Sequence, residues 1–280
     1  MLTLEAVSYR YTGALRPSLI DVNLELQDGE VLGVVGAGEA GKSTLCLVAS
    51  GLAPRTIGGR LAGRLLIDGA DVADRPMHEL ATQVAIGFQN PGTQLSGVAS
   101  TVYEEVAFGP MNLGMARADV IRRTEAALDA LAIHPLSERS PDRLSGGQQQ
   151  LVAIAGLLAL APRHLVLDEP TAQLDPAGSR LVSDAIRGLA ERGASILIVE
   201  QKVDLLVGLC RRVVALDGGR IAIEGEAPAV LADPRIRELG VAEPSAVRLR
   251  RLAAEAGVPK RRLDEALRLG SDGGGQRADA

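Results

Sequence analysis

The sequence predicts an α/β protein with a mostly parallel sheet, and two observations support this prediction. Residues 31–35 form a continuous apolar run, typical of a strand buried on both faces, which enters a glycine-rich loop and then a helical pattern over residues 42–50. Late in the chain, strand patterns alternate with helical patterns, as expected where helices cover the faces of a parallel sheet. A length of 280 residues allows about two domains with an apolar core.

Composition excludes several classes of protein. Lys and Arg number 30 and Asp and Glu 35, so the net charge is −5 and nucleic acid is not an expected partner. Cys46 and Cys210 lie far apart without a CxxC pair, which argues against a disulfide scaffold or a zinc site. The longest apolar run, residues 151–161, is too short to span a bilayer, and the first residues lack the pattern of a signal peptide. We therefore expect a cytoplasmic protein.

The predicted elements follow from periodicity along the chain. Alternation of apolar and polar residues predicts half-buried strands at residues 2–8 and 19–26, ahead of the buried strand at 31–35. Further strands are predicted at residues 64–67, 84–88, 165–168, 196–199 and 212–216. After the helix at 42–50, helices are predicted at residues 102–108, 117–131, 147–160, 178–192 and 203–209. Residues 96–159 contain no convincing strand pattern and are predicted to form an all-helical insert.

The segment after Gly225 differs in character from the rest of the chain. Residues 226–269 show short helical patterns, and residues 271–280 are polar and rich in glycine, which predicts disorder. Basic residues cluster in this segment: Arg248, Arg250, Arg251, Lys260, Arg261 and Arg262. A solvated helical face is the favoured interpretation of the cluster, with a partner or lipid contact as the alternative.

A phosphate-binding loop follows the first buried strand. Its residues match the pattern G-x-x-x-x-G-K-[ST]: Gly36, Ala37, Gly38, Glu39, Ala40, Gly41, Lys42, Ser43 and Thr44. The glycines let the backbone wrap around a polyphosphate, towards which the amides of the loop and the helix start then point. Lys42 supplies positive charge to the β and γ phosphates, and the Ser43 hydroxyl is placed to bind Mg²⁺. Glu39 is expected to point outward, because the loop binds anions through its backbone.

Two further segments fit the same chemistry. The apolar strand at 165–168 ends in Asp168 and Glu169, of which Asp168 would bind the magnesium and Glu169 would orient the attacking water. A strand that merely ends in solvated acids is the alternative, and the nearby Lys42 loop disfavours it. Ser145 precedes two glycines at a predicted helix start, where it forms either an anion-binding surface or an ordinary N-cap.

The phosphate loop, the LSGGQ segment and the LVLDE strand, in this order, resemble the nucleotide-binding subunit of an ABC transporter. The resemblance covers residues 1–225 and implies a P-loop NTPase fold with ATP as substrate and Mg²⁺ as cofactor. It implies a RecA-like core with an antiparallel β subdomain in residues 1–95 and 160–225, a helical subdomain in 96–159, and a C-terminal extension in 226–280. It also implies that two subunits close head to tail, so that one chain contacts the γ-phosphate of the other through Ser145, Gly146, Gly147 and Gln148.

The same resemblance implies roles for four further residues. Tyr11 stands where the family has an aromatic that stacks on adenine, with a tyrosine at a strand edge as the alternative. Gln89 matches the glutamine that touches Mg²⁺ and senses the membrane partner, and Asp175 matches the aspartate that links the two sites across the dimer. Gln201 stands at the position of the switch histidine. Glutamine can donate a hydrogen bond to the γ-phosphate but cannot become cationic, so the substitution either slows hydrolysis or is tolerated.

Two segments narrow the resemblance within the family. FQNP followed by QL, in residues 88–95, and VAFGP followed by NLG, in residues 106–114, resemble the ATPases of energy-coupling factor transporters, which import cobalt, nickel and vitamins. Residues 97–100 look like a small insertion relative to the usual spacing. The resemblance implies a site at the cytoplasmic face of the membrane and three partners. These are a second ATPase, a transmembrane coupling protein that docks near Gln89 and Val102, and a substrate-binding membrane protein.

Gln201 favours a heterodimer of unequal ATPases over a homodimer. A regulatory or non-transport ABC ATPase with a slow site is the alternative function; Gln201 supports it, whereas the FQNP and AFGP segments oppose it.

Overall fold

The computed structural model describes residues 1–258, which form two β-sheets and the helices that cover them. The strands are β1 (Leu2–Tyr11), β2 (Leu19–Leu26), β3 (Val31–Gly36), β4 (Gly59–Ile67), β5 (Ala70–Asp71), β6 (Val84–Gly87), β7 (His164–Asp168), β8 (Ser195–Val199), β9 (Arg212–Asp217) and β10 (Arg220–Glu226). The helices are α1 (Lys42–Ala49), α2 (Leu52–Arg55), α3 (Met77–Leu80), α4 (Val102–Asn112), α5 (Arg117–Ala130), α6 (Gly146–Leu160), α7 (Pro176–Glu191), α8 (Val203–Leu209), α9 (Ala227–Ala232), α10 (Arg235–Glu238) and α11 (Ser245–Glu255). Single 3₁₀ turns occur at Pro91–Thr93, His134–Leu136 and Pro141–Arg143.

The larger sheet is six-stranded in the order β10-β9-β3-β8-β7-β6, and only its edge strand β10 runs antiparallel to its neighbour. Strands β7 and β8 are buried along their whole length, as is β3 up to its last residue. The prediction of strands buried on both faces is therefore confirmed. Because β3, β7 and β8 are parallel neighbours, the segments that follow them meet at one edge of the sheet.

Two apolar cores lie on opposite faces of this sheet. On one face, Val34 and Val166 pack with β1, β2 and α1. On the other face, Val35 and Leu165 pack with residues of α5, α6 and α7. Successive side chains of β3 and β7 point to opposite faces of the sheet, so each strand contributes residues to both cores.

The smaller sheet is antiparallel, in the order β2-β1-β4-β5. Its central strand β1 extends to Tyr11, three residues beyond the predicted end, and β4 begins at Gly59 rather than at residue 64. The extensions pair with each other, since Tyr11 stands opposite Gly59. The signal in β4 is weak because residues 59–64 are exposed or only half-buried, whereas the extension of β1 continues the alternation with buried Tyr9 and exposed Arg10.

Residues 96–159 contain α4, α5 and α6 and no strand, which confirms the all-helical insert. Sequence patterns missed β10, a half-exposed edge strand, and three two- to four-residue elements, β5, α2 and α3, that are too short for a periodic signal. The boundaries proposed for three domains stay predictions.

After residue 225 the structure has the short helices α9, α10 and α11, in agreement with the sequence patterns as far as residue 258. Arg248 and Arg250 are exposed, as a solvated helical face requires, whereas Arg251 pairs with Glu243 at 2.9 Å. Lys260, Arg261, Arg262 and the predicted disorder of residues 271–280 lie outside the described residues. Within residues 1–258, Cys46 and Cys210 are free and buried, and no helix combines the length and apolarity needed to cross a bilayer.

Candidate nucleotide site

The phosphate loop lies at the carboxyl edge of the parallel sheet, between β3 and α1. Gly41 has φ 102°, and a Cβ there would lie 2.6 Å from the carbonyl oxygen of Ser18, so only glycine fits this turn. Lys42 is 8% exposed, and its Nζ donates to the carbonyl oxygens of Gly36 at 2.9 Å and Ala37 at 2.7 Å. The lysine is thus folded over the loop, with its charge next to the place where phosphates would lie.

Glu39 is exposed at a φ of 63°, as expected of a side chain that points outward. That orientation stays a prediction, and it would leave the inner face of the loop to the backbone amides. The loop can attract an anion through its amides and through Lys42 without repulsion from a carboxylate inside it.

Asp168, at the end of β7, is buried next to Ser43 and Glu169. Burial raises the pKa of the Asp168 carboxyl, and the neighbouring charge of Glu169 adds to the effect. A hydrogen bond from Ser43 and the charge of Lys42 act in the opposite direction. Two adjacent buried carboxylates are costly without a cation, which is the electrostatic setting that suits a divalent metal ion.

The side chains that the sequence assigns to magnesium fit that ion chemically. Ser43 offers a hydroxyl, Asp168 a carboxylate and Gln89 an amide oxygen, and Mg²⁺ prefers oxygen ligands of this kind. Ser43 is exposed at the start of α1, so its hydroxyl is open to a ligand.

Gln89, Glu169 and Gln201 converge into one hydrogen-bonded cluster. One carboxylate oxygen of Glu169 accepts from Gln89 Nε2 at 2.8 Å, and the other accepts from Gln201 Nε2 at 2.7 Å. The three residues follow β6, β7 and β8, three neighbouring parallel strands. Glu169 is only 8% exposed, and its backbone N–H donates to the carbonyl oxygen of Val199 at 2.9 Å, so both its backbone and its carboxylate are fixed by hydrogen bonds.

Tyr11 lies against the phosphate-loop helix. Its hydroxyl is 3.0 Å from the hydroxyl oxygen of Thr44, and its ring stands edge to face with that of Tyr9 at a centroid distance of 4.9 Å. Tyr11 is the last residue of β1 and pairs only with Gly59 of β4, because β2 begins opposite Tyr9. A cleft beside the ring is lined by Arg10, by residues 12–14 and by the start of β4. Stacking of Tyr11 on a base stays a prediction.

The LSGGQ segment forms the N-terminus of α6. Ser145 is the N-cap: its hydroxyl accepts from the N–H of Gln148 at 3.3 Å, and the Gln148 side chain accepts from the N–H of Ser145 at 3.1 Å. A Cβ at Gly146 would lie 2.9 Å from the side-chain oxygen of Gln173, so the segment packs closely on the loop after Glu169. Within residues 1–258 no hydrogen bond joins this segment to residues 36–44.

Asp175 caps α7, because its carboxylate accepts from the N–H of Gly178 at 2.7 Å. Sequence reasoning assigned Asp175 only to the dimer and did not predict this local contact. It is exposed, so it can also face a second chain.

Sequence reasoning missed Thr171, Glu200 and Lys202. Glu200 is 2% exposed and accepts from the N–H of Thr171 at 3.0 Å and from its hydroxyl at 2.7 Å. Burial raises the pKa of Glu200, although the hydrogen bonds from Thr171 oppose this. Lys202 Nζ donates to the carbonyl oxygens of Thr171 at 2.6 Å and Leu174 at 3.1 Å. The sequence did contain a signal for these residues: two side chains of opposite charge, Glu200 and Lys202, flank Gln201 directly after a buried strand.

Comparison with known proteins bears on the nature of this site. Residues 19–172 match the family described as ABC transporter. A putative ABC transporter ATP-binding protein of Pyrococcus abyssi is 39% identical over 263 residues, which cover 93% of each chain. The energy-coupling factor transporter ATP-binding protein EcfA2 of Symbiobacterium thermophilum is 38% identical over 255 residues, which cover 89% of this chain and 86% of that protein.

Solved structures share the fold. CbiO1 from Clostridium perfringens, described as part of the ABC transporter complex CbiONQ, superposes with a TM-score of 0.73 at 30% identity, covering 89% of this chain and 98% of that one. The ATP-binding cassette MJ0796, dimeric in a post-hydrolysis state with ADP and Pi, superposes with a TM-score of 0.71 at 25% identity, covering 81% of this chain and 99% of that one.

Proposed function

The chain belongs to the ABC transporter family and is an ATP-hydrolysing subunit of that family. We propose that it energises an importer of the energy-coupling factor type. The similarity to EcfA2 over most of both chains supports this type of importer, together with the FQNP and VAFGP segments. The cargo would be a metal ion or a vitamin, selected by a separate substrate-binding membrane protein.

The cluster of Gln89, Glu169 and Gln201 is the observation on which the hydrolytic role rests. Glu169 is held between two amides, so its carboxylate is oriented to accept a proton from an attacking water. A glutamine amide has two N–H groups, and Gln201 can therefore hold Glu169 with one and donate to a γ-phosphate oxygen with the other. Gln201 is then a member of the hydrolytic machinery although it cannot carry a proton.

The phosphate loop supplies the binding of ATP. Its amides and Lys42 hold the phosphates, and Ser43, Asp168 and Gln89 would hold Mg²⁺. When bound, the magnesium neutralises charge on the β and γ phosphates. Tyr11 would stack on the adenine from the end of β1.

We infer a dimer in which each ATP lies between two chains. The N-terminus of α6, with Ser145, Gly146, Gly147 and Gln148, offers amides and a hydroxyl to a phosphate, yet no hydrogen bond in the described residues joins it to the phosphate loop of its own chain. A head-to-tail arrangement brings it to the loop of the partner. Glutamine at position 201, where the family usually has histidine, favours a partner that is a different ATPase.

A groove between α4 and α5 is the proposed docking site for the coupling protein at the cytoplasmic face of the membrane. It is lined by Tyr103, Met111, Met115 and Ile121, of which Met111 is 62% and Ile121 43% exposed. Exposed apolar side chains of this size fit an apolar helix of a partner.

Side-chain bonds connect this groove to the nucleotide site. Glu105 of α4 is buried, and its two carboxylate oxygens accept from the N–H and the hydroxyl of Ser96, each at 2.6 Å. Gln94 accepts from the N–H of Phe88 at 3.0 Å, next to Gln89. The segment from Gln89 to α4 is thus tied at both ends, so that closure of the site can displace α4.

Affinity purification from gently solubilised membranes of the native host tests the transporter proposal. We expect the tagged chain to recover a polytopic membrane protein, with or without a second ATPase, identified by mass spectrometry. Met111→Glu should abolish this recovery, because it places a charge in the groove. Leu113→Glu is the matched control, since Leu113 is 41% exposed but does not line the groove.

Recovery of no membrane protein in several detergents would favour the alternative, a regulatory or non-transport ABC ATPase. Recovery with both variants would place the docking surface elsewhere on the chain.

A further inference from the structure

Glu200 and Lys202, the two neighbours of Gln201, both bind the segment of residues 171–175. Glu200 accepts from the N–H and the hydroxyl of Thr171. Lys202 Nζ has three acceptors, the carbonyl oxygens of Thr171 and Leu174 and, at 3.3 Å, the Ser179 hydroxyl. The short loop 200–202 and the segment 171–175 are therefore joined by side chains of opposite charge on either side of Gln201.

The contacts are buried at their centre. Thr171 is fully buried and Glu200 is 2% exposed, so the polar atoms that they pair have no ready access to water. Lys202 itself is exposed, but its three ammonium donors reach acceptors on the buried residues Thr171, Leu174 and Ser179. Hydrogen bonds that involve a charged group are stronger than neutral ones, and breaking them inside a protein leaves costly unpaired groups.

The segment 171–175 links the two faces of the site. It begins two residues after Glu169 and ends at Asp175, and its Gln173 packs against Gly146 of the LSGGQ segment. Gln201 in turn holds Glu169 of the same chain. The two charged side chains thus connect the loop 200–202 to the segment that carries Asp175.

We propose that Glu200 and Lys202 are positioning residues that make the loop 200–202 and the segment 171–175 move as one body. The contact of Gln201 with its own ATP site then sets the placement of Asp175 and the LSGGQ segment towards the partner chain. This second statement rests on the proposed dimer, whereas the joining of the two segments is a property of the single chain.

Hydrogen exchange in the single full-length chain tests the joining directly. The amides of Thr171 and Leu174 donate to Glu200 and to the Thr171 carbonyl, respectively, so they report on the segment. In Lys202→Met we expect these amides to exchange about tenfold faster, with recovery in Lys202→Arg, which keeps the donors. Arg122→Met is the matched control: it also removes one positive charge, from a side chain that is 68% exposed and pairs with Asp119.

Unchanged exchange of Thr171 and Leu174 in Lys202→Met would overturn the joining. Faster exchange in distant strands as well, without recovery in Lys202→Arg, would also overturn it, because the lysine would then act on global stability alone.

ATP-driven association tests the consequence for the dimer. In a Glu169→Gln background, which lacks the proposed general base and should therefore hydrolyse ATP slowly, we expect Lys202→Met to weaken association with the partner ATPase about tenfold while the affinity of the single chain for ATP changes less than about twofold. Equal association of the Lys202→Met and Arg122→Met variants would overturn the coupling. Absence of ATP-driven association in the Glu169→Gln parent itself would instead refute the proposed dimer, and the exchange result would stand.

Discussion

At the residue scale, the substitution at position 201 matters most for the chemistry of this ATPase. The structure places the Gln201 amide against Glu169 at 2.7 Å, in the same cluster as Gln89. Such an amide can orient the carboxylate and contact a phosphate, but it adds no positive charge to the site. Gln201 can thus donate hydrogen bonds as the histidine implied by the resemblance would, but it cannot supply that histidine's positive charge.

Removal of the Gln201 amide should slow hydrolysis rather than ATP binding. For Gln201→Ala we expect kcat to fall about tenfold, with KM for ATP changed less than about twofold, because the lost contact orients the general base. Steady-state phosphate release measures both constants. Gln27→Ala serves as the control, since Gln27 also donates its amide to a glutamate, Glu25, but on the exposed surface. A kcat equal to that of the control would show that the amide plays no part in hydrolysis.

Asp168 should be a destabilising residue in the nucleotide-free protein. Its pKa is raised by burial, so the folded state binds the proton more tightly than the unfolded state does. The folded state therefore loses stability as the pH rises from the pKa of the unfolded carboxyl through that of the folded one, and the loss is complete above the folded pKa. We expect Asp168→Asn to raise Tm at pH 7 by about 2–4 °C and to reduce the further stabilisation by MgATP.

Thermal unfolding with and without MgATP checks the Asp168 prediction, with the exposed Asp184→Asn as control. A lower Tm for Asp168→Asn without nucleotide would contradict the electrostatic account. An undiminished MgATP effect would contradict the assignment of Asp168 to the metal.

At the element scale, the parallel strands bring the candidate catalytic side chains together at one edge of the sheet. Strands β6, β7 and β8 end side by side, and this brings Gln89, Glu169 and Gln201 together from three distant parts of the chain. The opposite ends of the same strands have no such role, yet they contain an unusual group. His164 begins β7, is fully buried, and has no hydrogen-bond partner for either ring nitrogen within the described residues.

The burial of His164 should make stability depend on pH. Burial lowers its pKa to about 4, so the unfolded state, with a pKa of about 6.5, takes up the proton first as the pH falls. The stability contributed by the neutral ring is thus complete above about pH 6.5 and is lost towards pH 4, by at most about 1.4 kcal/mol per pH unit. We expect His164→Leu to flatten this part of the profile.

Urea unfolding between pH 7 and pH 4.5 measures the effect of His164. His78→Leu provides the control, because His78 is exposed at the start of α3. Identical slopes for the wild-type protein and His164→Leu would show that another group causes the acid sensitivity.

At the scale of the whole molecule, the proposed dimer divides each ATP site between two chains. In that dimer the phosphate loop and Glu169 would serve the ATP bound by this chain, and Ser145 with its helix would serve the ATP bound by the partner. If Gln201 makes the chain's own site slow, the more important contribution of this chain to a heterodimer is its intact LSGGQ segment.

This asymmetry predicts an order of effects in a heterodimer. Ser145→Ala should reduce ATPase activity more than Glu169→Gln, because it acts on the competent site of the partner. Ser145 is also a helix N-cap, whose loss costs about 1 kcal/mol of stability on its own. Thr101→Ala controls for this cost, since Thr101 caps α4 with the same kind of capping box. Equal losses from Ser145→Ala and Glu169→Gln would remove the asymmetry.

Periodicity identified much of the fold because long amphipathic and fully apolar segments have strong signals. The buried strands β3, β7 and β8 and the helices α5 and α7 were all expected close to their observed positions. Periodicity did not identify β10, because this edge strand is stabilised by its pairing with β9 rather than by a buried face of its own. The extension of β1 to Tyr11 differs, since it alternates buried Tyr9 with exposed Arg10 and pairs with β4.

The amino-acid sequence was enough to predict the chemistry: the phosphate loop with Lys42, the acids Asp168 and Glu169, and the LSGGQ segment, because each of these is a contiguous run of residues whose types suit phosphate and magnesium. Which side chains touch became known from the folded chain. It joined Gln89 and Gln201 to Glu169, and it joined Glu200 and Lys202 to the segment 171–175. Contacts between residues some 30 to 80 positions apart depend on strand order and burial, and no local pattern in the chain encodes them.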